Sequence, residues 1–163
     1  MSEEGGSGDS EEEFRTAVRN THNAIRQRHG APLLAVAHDL DERAKSWAEK
    51  LAARGHIAYA EVTGIGENIT FFPASVSGSE AVEHWAKEAA KYNFETPGWQ
   101  PGTNYFTQLI WKGSTELGLG LAPMEDGQTK VLVALYRPAG NGNRKGEFAA
   151  NVLPPQDHAN STN

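Results

Sequence analysis

The side chains able to do chemistry in this chain are few, and cysteine is not among them. With no cysteine in 163 residues there is no thiolate nucleophile, no thiolate metal site and no disulfide, which favours a reducing compartment. No serine sits in G-x-S-x-G and no H-E-x-x-H occurs, so neither the hydrolase elbow nor the zinc-protease helix is present. His84 stands four residues before Glu88, on one helical face, where such a pair could ligate a metal but more often pairs only with itself. Paired carboxylates can act as acid and base on a glycosidic bond, yet nothing else marks a sugar cleft. The run Gly140-Asn141-Gly142-Asn143 lacks the spacing of either phosphate-binding loop. The most distinctive cluster is aromatic: Tyr92, Phe94 and Trp99 follow the pattern aromatic-x-aromatic-x4-aromatic, with Pro97-Gly98 inside it.

Apolar periodicity predicts the elements that must position these groups. Phe14, Val18, Thr21 and Ile25 recur at three and four, giving a helix that Gly30 and Pro32 terminate. A second helix carries Leu40, Ala44, Trp47 and Leu51, with Asp39 as its N-cap and Arg54-Gly55 at its end. Ser77 and Glu80 have capping-box spacing at the head of a third, whose buried face is Val82, Trp85, Ala89 and Tyr92. The period then changes to two, and strands are expected over Tyr105 to Trp111, Leu117 to Ala122 and Val131 to Arg137, with Asp126-Gly127 turning between the last two. The run Val131 to Tyr136 is apolar on both faces, which belongs in a sheet covered on both sides. One domain over residues 11–155 is expected, between an acidic Gly/Ser tail at 1–10 and a flexible tail at 156–163.

The net charge of -6 and pI near 5.5 argue against nucleic acid as a partner, although a local basic face remains compatible with anionic membrane. The N-terminus has neither the basic nor the apolar region of a secretory signal. Ser2 offers no acceptor for myristoylation, and no apolar run approaches the roughly 20 residues that span a bilayer.

Four separated segments carry a family resemblance. They are Thr21-His22-Asn23-Ala24-Ile25-Arg26, Gly66-Glu67-Asn68-Ile69, Trp85 to Phe94 followed by Pro97-Gly98, and Gly102-Thr103-Asn104-Tyr105-Phe106-Thr107-Gln108-Leu109-Ile110-Trp111. Together these are similar to the CAP superfamily of cysteine-rich secretory, antigen 5 and pathogenesis-related proteins. The ending Tyr136 to Asn141, then Asn151 to Pro155, resembles its intracellular, disulfide-free, Golgi-associated plant-pathogenesis-related branch. The resemblance implies an α+β chain folded as one three-layer α/β/α sandwich with a mixed, mainly antiparallel sheet. It also implies a central cleft of two His and two Glu, the His pair able to bind a divalent metal.

Carried onto this sequence, the glutamates are Glu67 and Glu88, and tyrosines stand where the imidazoles would: Tyr105 and Tyr59, with His56 the alternative to the latter. A phenol must lose a proton of pKa about 10 before it can ligate, costing roughly 4 kcal/mol at pH 7. The expectation is therefore a metal-free cleft without cofactor or catalytic residue, its tyrosines donating to the two carboxylates. His22 is assigned a packing role. In this family the aromatic loop is associated with caveolin-type and sterol binding, so Tyr92, Phe94, Pro97 and Trp99 are the lipid-binding candidates. The expected partners are a lipid or sterol, a membrane surface, a caveolin-like protein and a second copy in a homodimer. The expected location is cytoplasmic, peripheral on Golgi or other membranes, with secretion as the alternative. A protein-interaction module in signalling or immunity, and a metal-dependent hydrolase, are the competing functions.

Overall fold

The structure, a computed structural model, describes residues 2–156, with side chains from residue 10 onward. Helix α1 spans Ser2–Arg28, so the helical backbone includes residues expected to form a tail. Of the C-terminal tail only Gln156 is described, and its N–H donates to the Arg28 carbonyl at 2.6 Å; residues 157–163 lie outside the described part.

Four strands form the sheet: β1 (Ala35–Val36), β2 (Gly66–Pro73), β3 (Glu116–Pro123) and β4 (Thr129–Arg137). Their order is β1-β3-β4-β2, parallel between β1 and β3 and antiparallel elsewhere. The doubly apolar run is thus the inner strand β4. Leu132, Ala134 and Tyr136 face one layer, while Val131, Val133 and Leu135 face the other. The tight link from β3 to β4 uses Asp126, whose carboxylate accepts the N–H of Gln128 and Thr129, and Gly127 at φ 71.

Helix α2 (His38–Arg54) covers the second face through Leu40, Ala44, Ala48 and Leu51. It lies unusually close to β3 because Gly118 and Gly120 occupy the contact positions: a Cβ on either would overlap the backbone of Leu40 or Ala44. The helix begins one residue before the expected cap. Ala37 is the N-cap without a side-chain bond, and Asp39 turns outward, where both its oxygens accept from Arg137. A charged fork to the neighbouring strand has displaced the local cap.

The first face is covered by α1, by α3 (Gly78–Ala86) and by α4 (Asn104–Leu109). Helix α3 opens with the complete Ser77/Glu80 capping box and tightens into a 3₁₀ turn, Lys87–Lys91, ahead of Tyr92. Helix α4 corrects the strand expected over Tyr105 to Trp111. Phe106 to Trp111 are all buried, so the segment has no polar face to mark a helical period, and a short buried run cannot be typed by periodicity alone. A last short helix, α5 (Glu147–Asn151), precedes the C-terminal stretch.

Candidate functional site

The cleft residues gather where the segment after α2 returns to the start of β2. Trp47 of α2 donates its indole N–H to the Ala58 carbonyl at 3.0 Å, pinning that segment from outside. Glu67, at the second residue of β2, accepts the N–H groups of Ala60 and Glu61 at 3.1 and 2.7 Å. Between these anchors Tyr59 projects to Tyr105 on α4, and their hydroxyls share one hydrogen bond at 2.5 Å. The sequence alternative, His56, is exposed. Glu88, in the 3₁₀ turn, accepts the Phe106 N–H at 2.9 Å and so caps the α4 end that carries Tyr105.

The expected pattern, each phenol donating to a carboxylate, is therefore corrected. Each carboxylate instead holds the backbone beside one tyrosine, and the tyrosines hold each other. The physical reason is donor supply. Backbone N–H groups at a tight turn and at a helix start have no intrahelical partner, and a carboxylate that takes them leaves the phenols to pair. Burial first, then the Tyr59 hydrogen bond and the nearby charges of Tyr59 and Glu88, push the Tyr105 phenol well above the ordinary tyrosine range.

Under this pair runs a buried polar chain that sequence patterns alone do not reveal. Asn68, on the sheet face opposite Glu67, donates to the Tyr105 carbonyl at 3.0 Å and to the Tyr136 hydroxyl at 3.3 Å. Tyr136 lies 2.6 Å from His22 Nε2, and His22 Nδ1 lies 2.9 Å from the Val18 carbonyl. A carbonyl can only accept, so Nδ1 carries the proton and Nε2 accepts from Tyr136. His22 is thus a satisfied core histidine, as its position predicted. Burial lowers its pKa to about 4, against the upward pull of the Val18 carbonyl and helped by the Arg26 charge. Arg26 itself is wholly buried, with no carboxylate partner among the described residues; its guanidinium donates to the carbonyls of Pro32, Leu109, Trp111 and Ser114. The remaining motif residues are also structural. Gln108 fixes the Gly140 N–H at 2.9 Å, and a Cβ on Gly66 would collide with it.

The aromatic loop divides into roots and a tip. Tyr92 is 6% exposed and packs edge-on to Phe94 at 5.0 Å, and both pack on Phe106. The Tyr92 hydroxyl accepts the Gly98 N–H at 3.3 Å. Trp99 is 56% exposed. Of the four lipid-binding candidates, Tyr92 and Phe94 therefore finish the core, Pro97 is exposed in the turn, and Trp99 is the large ring presented to solvent.

This arrangement of layers, cleft and loop has known counterparts. The sequence profile of CAP, the cysteine-rich secretory protein family, matches residues 19–136. The chain belongs to the CAP family. Golgi-associated plant pathogenesis-related protein 1 of Homo sapiens is 36% identical, over 88% of this chain and 95% of that one. Secreted protein RBT4 of Candida albicans is 30% identical over 92% of this chain, which spans only 43% of that protein. In three dimensions, Schistosoma mansoni venom allergen-like protein 4 superposes with a TM-score of 0.64 at 19% identity, covering 89% of this chain and 96% of that one. The α/β/α expectation thus holds, with a CAP domain of the Golgi-associated pathogenesis-related type.

A resident metal, which the CAP resemblance implies for the cleft, can be tested against the donors present. Zinc takes imidazole, thiolate and carboxylate ligands. Here the imidazole positions hold two phenols bound to one another, and Glu67 and Glu88 are committed to amides of different segments. The raised Tyr105 pKa opposes the deprotonation that ligation would need. Among the described residues no three His, Cys, Asp or Glu side chains come together as a metal site. His84 is exposed and lines a surface pocket with Thr70, Phe72 and Lys87. The donor set does not fit the metal.

Proposed function

We propose that this CAP protein is a non-enzymatic lipid-binding protein that associates with membranes through the Tyr92 to Trp99 loop. The observation that carries the reading is the contrast within that loop: rings 92 and 94 are rooted in the core while the indole of Trp99 stands out. Trp is the side chain best suited to a membrane interface, with a large apolar body and one polar N–H. A rigidly rooted loop presents it at little entropic cost. No helix among the described residues is long and apolar enough to cross a membrane, so contact would be peripheral. The name of the human relative refers to the Golgi and that of the Candida relative to secretion; the absence of cysteine supports the cytoplasmic side. The cleft supports a structural rather than a catalytic part, because its carboxylates and phenols are spent on one another's scaffolding.

The test is binding of the full chain to phospholipid vesicles, with and without cholesterol, alongside retention of a labelled sterol. Fully burying a large apolar side chain contributes about 1.5–3 kcal/mol. Since Trp99 is 56% exposed, roughly half of that remains to be gained, so Trp99→Ala should weaken binding about 3-fold to 12-fold. Binding by the wild type that Trp99→Ala leaves intact, or no binding of vesicle and sterol by either protein, overturns the proposal.

A further inference from the structure

The glycine-rich run after β4 serves neither the cleft nor the aromatic loop, yet it contains the only Asn-Gly step in the chain, Asn141-Gly142. Glycine leaves the backbone nitrogen that follows an asparagine unshielded, which is the sequence condition for that nitrogen to attack the side-chain amide. Two contacts tie Asn141 to α4. Its Oδ1 accepts from the Thr107 hydroxyl at 2.6 Å, the shortest of that hydroxyl's contacts, and its Nδ2 donates to the Asn104 carbonyl at 3.1 Å. A carbonyl can only accept, so Asn104 fixes which end of the amide is nitrogen. Thr107 is wholly buried, and Gly140, just ahead of the step, is held by Gln108 of the same helix. The Asn141 backbone is left-handed, at φ 61, a region that goes with ψ of about 47°. At such a ψ the Gly142 nitrogen lies nearly opposite Cβ across the Cα–C bond, where it cannot reach Cγ.

We propose that Asn141-Gly142 is a latent modification site: a deamidation step that α4 latches shut and that proceeds when the loop leaves the helix. In the open loop ψ turns through nearly half a circle and brings the Gly142 nitrogen onto Asn141 Cγ. That nitrogen gives up its proton, the new N–Cγ bond closes a five-membered imide, and the Cγ–Nδ2 bond breaks with Nδ2 leaving, protonated, as ammonia. Water, the one co-reactant, then adds to either imide carbonyl and opens the ring to aspartate or isoaspartate. Both products lack the Nδ2 donor that the Asn104 carbonyl uses, and isoaspartate also lengthens the main chain by one carbon. The latch cannot re-form, so a transient opening leaves a permanent change beside the helix that carries Tyr105.

The experiment incubates the full chain at mildly alkaline pH, folded in buffer and unfolded in urea, and quantifies both products by peptide mapping. Each hydrogen bond of the latch lowers the open population about fivefold, so the folded chain should convert at least about 25-fold more slowly than the unfolded one. Thr107→Val keeps the shape of the side chain and removes the donor. With its urea midpoint checked, it should convert about fivefold faster than the folded wild type. Asn141→Asp, the product made directly, should speed hydrogen exchange at the Thr107 amide, which donates to the Thr103 carbonyl at the head of α4. An unfolded chain that does not convert, equal rates in the folded and unfolded wild type, a folded Thr107→Val that converts no faster, or unchanged exchange in Asn141→Asp overturns the proposal. If Thr107→Val does not fold, the wild-type rate ratio and the Asn141→Asp exchange decide the matter by themselves.

Discussion

Acid should destabilise this protein through one identifiable imidazole. His22 is fully buried and neutral, donating from Nδ1 to Val18 and accepting from Tyr136 at Nε2. Its folded-state pKa is held at about 4 against an ordinary 6.5. Below 6.5 the unfolded chain takes up a proton that the folded chain refuses until about 4, so stability is fully present above 6.5 and is lost as the pH falls through that window. At about 1.4 kcal/mol per pH unit the loss amounts to about 3 kcal/mol, a large part of the typical margin of about 5–15 kcal/mol. Other groups titrate in the same direction. His29 is lowered, mainly by burial, and the Asp39 and Asp126 carboxylates are lowered by their hydrogen bonds. The clean measurement is therefore a difference. Urea unfolding of the wild type and of His22→Gln is compared from pH 7.5 to 4, so that every shared titration cancels. The variant is less stable at neutral pH, because it breaks the chain to Tyr136, and its deficit should shrink by about 3 kcal/mol by pH 4. A deficit that stays constant to within about 1 kcal/mol would refute the assignment of His22 as the buried neutral group.

Two further outcomes test the scaffold. Gly120→Ala drives a methyl into the Ala44 backbone, and overpacking at a helix-sheet contact should cost about 3 kcal/mol. A urea midpoint unchanged from the wild type would show that α2 can lift off β3 freely. Glu67→Gln replaces one amide-accepting oxygen with a donor opposite Ala60 or Glu61, costing about 1–2 kcal/mol locally. Hydrogen exchange at those two amides should quicken about tenfold, and unchanged protection would mean that the Tyr59 segment is held by Trp47 alone.

What the sequence revealed follows the strength of its physical signals. The Ser77/Glu80 box, the Asp126-Gly127 turn and the doubly apolar β4 are each a local rule with little competition, and all three are present. The strand expected from Tyr105 failed because burial of every residue from Phe106 to Trp111 erases the period that distinguishes helix from strand. Strand β2 drew no assignment because its alternate residues serve unlike ends. Ile69 and Phe71 pack toward α2, Phe72 packs toward α1, and Glu67 and Asn68 hold polar groups. Asp39 misled as a cap because its partner, Arg137, lies 98 residues away and long-range charge overrode local preference.

The identity of the cleft residues was legible, but their bonding was not, and the difference bears on function. Motif spacing can place Tyr59, Glu67, Glu88 and Tyr105 around one cleft. It cannot say which donors compete for the carboxylates, because those donors are backbone amides supplied by local folding. Once Glu67 takes the turn at Ala60-Glu61 and Glu88 takes the head of α4, the two phenols are the remaining partners for each other. A pair of imidazoles in their place could turn lone pairs inward on a cation. A phenol pair instead closes the cleft as a clasp between the post-α2 segment and α4, and the raised pKa of Tyr105 keeps that phenol protonated. Away from that clasp the exposed indole of Trp99 is the group on which the proposed membrane contact rests, so the cleft and the loop can be tested by separate substitutions.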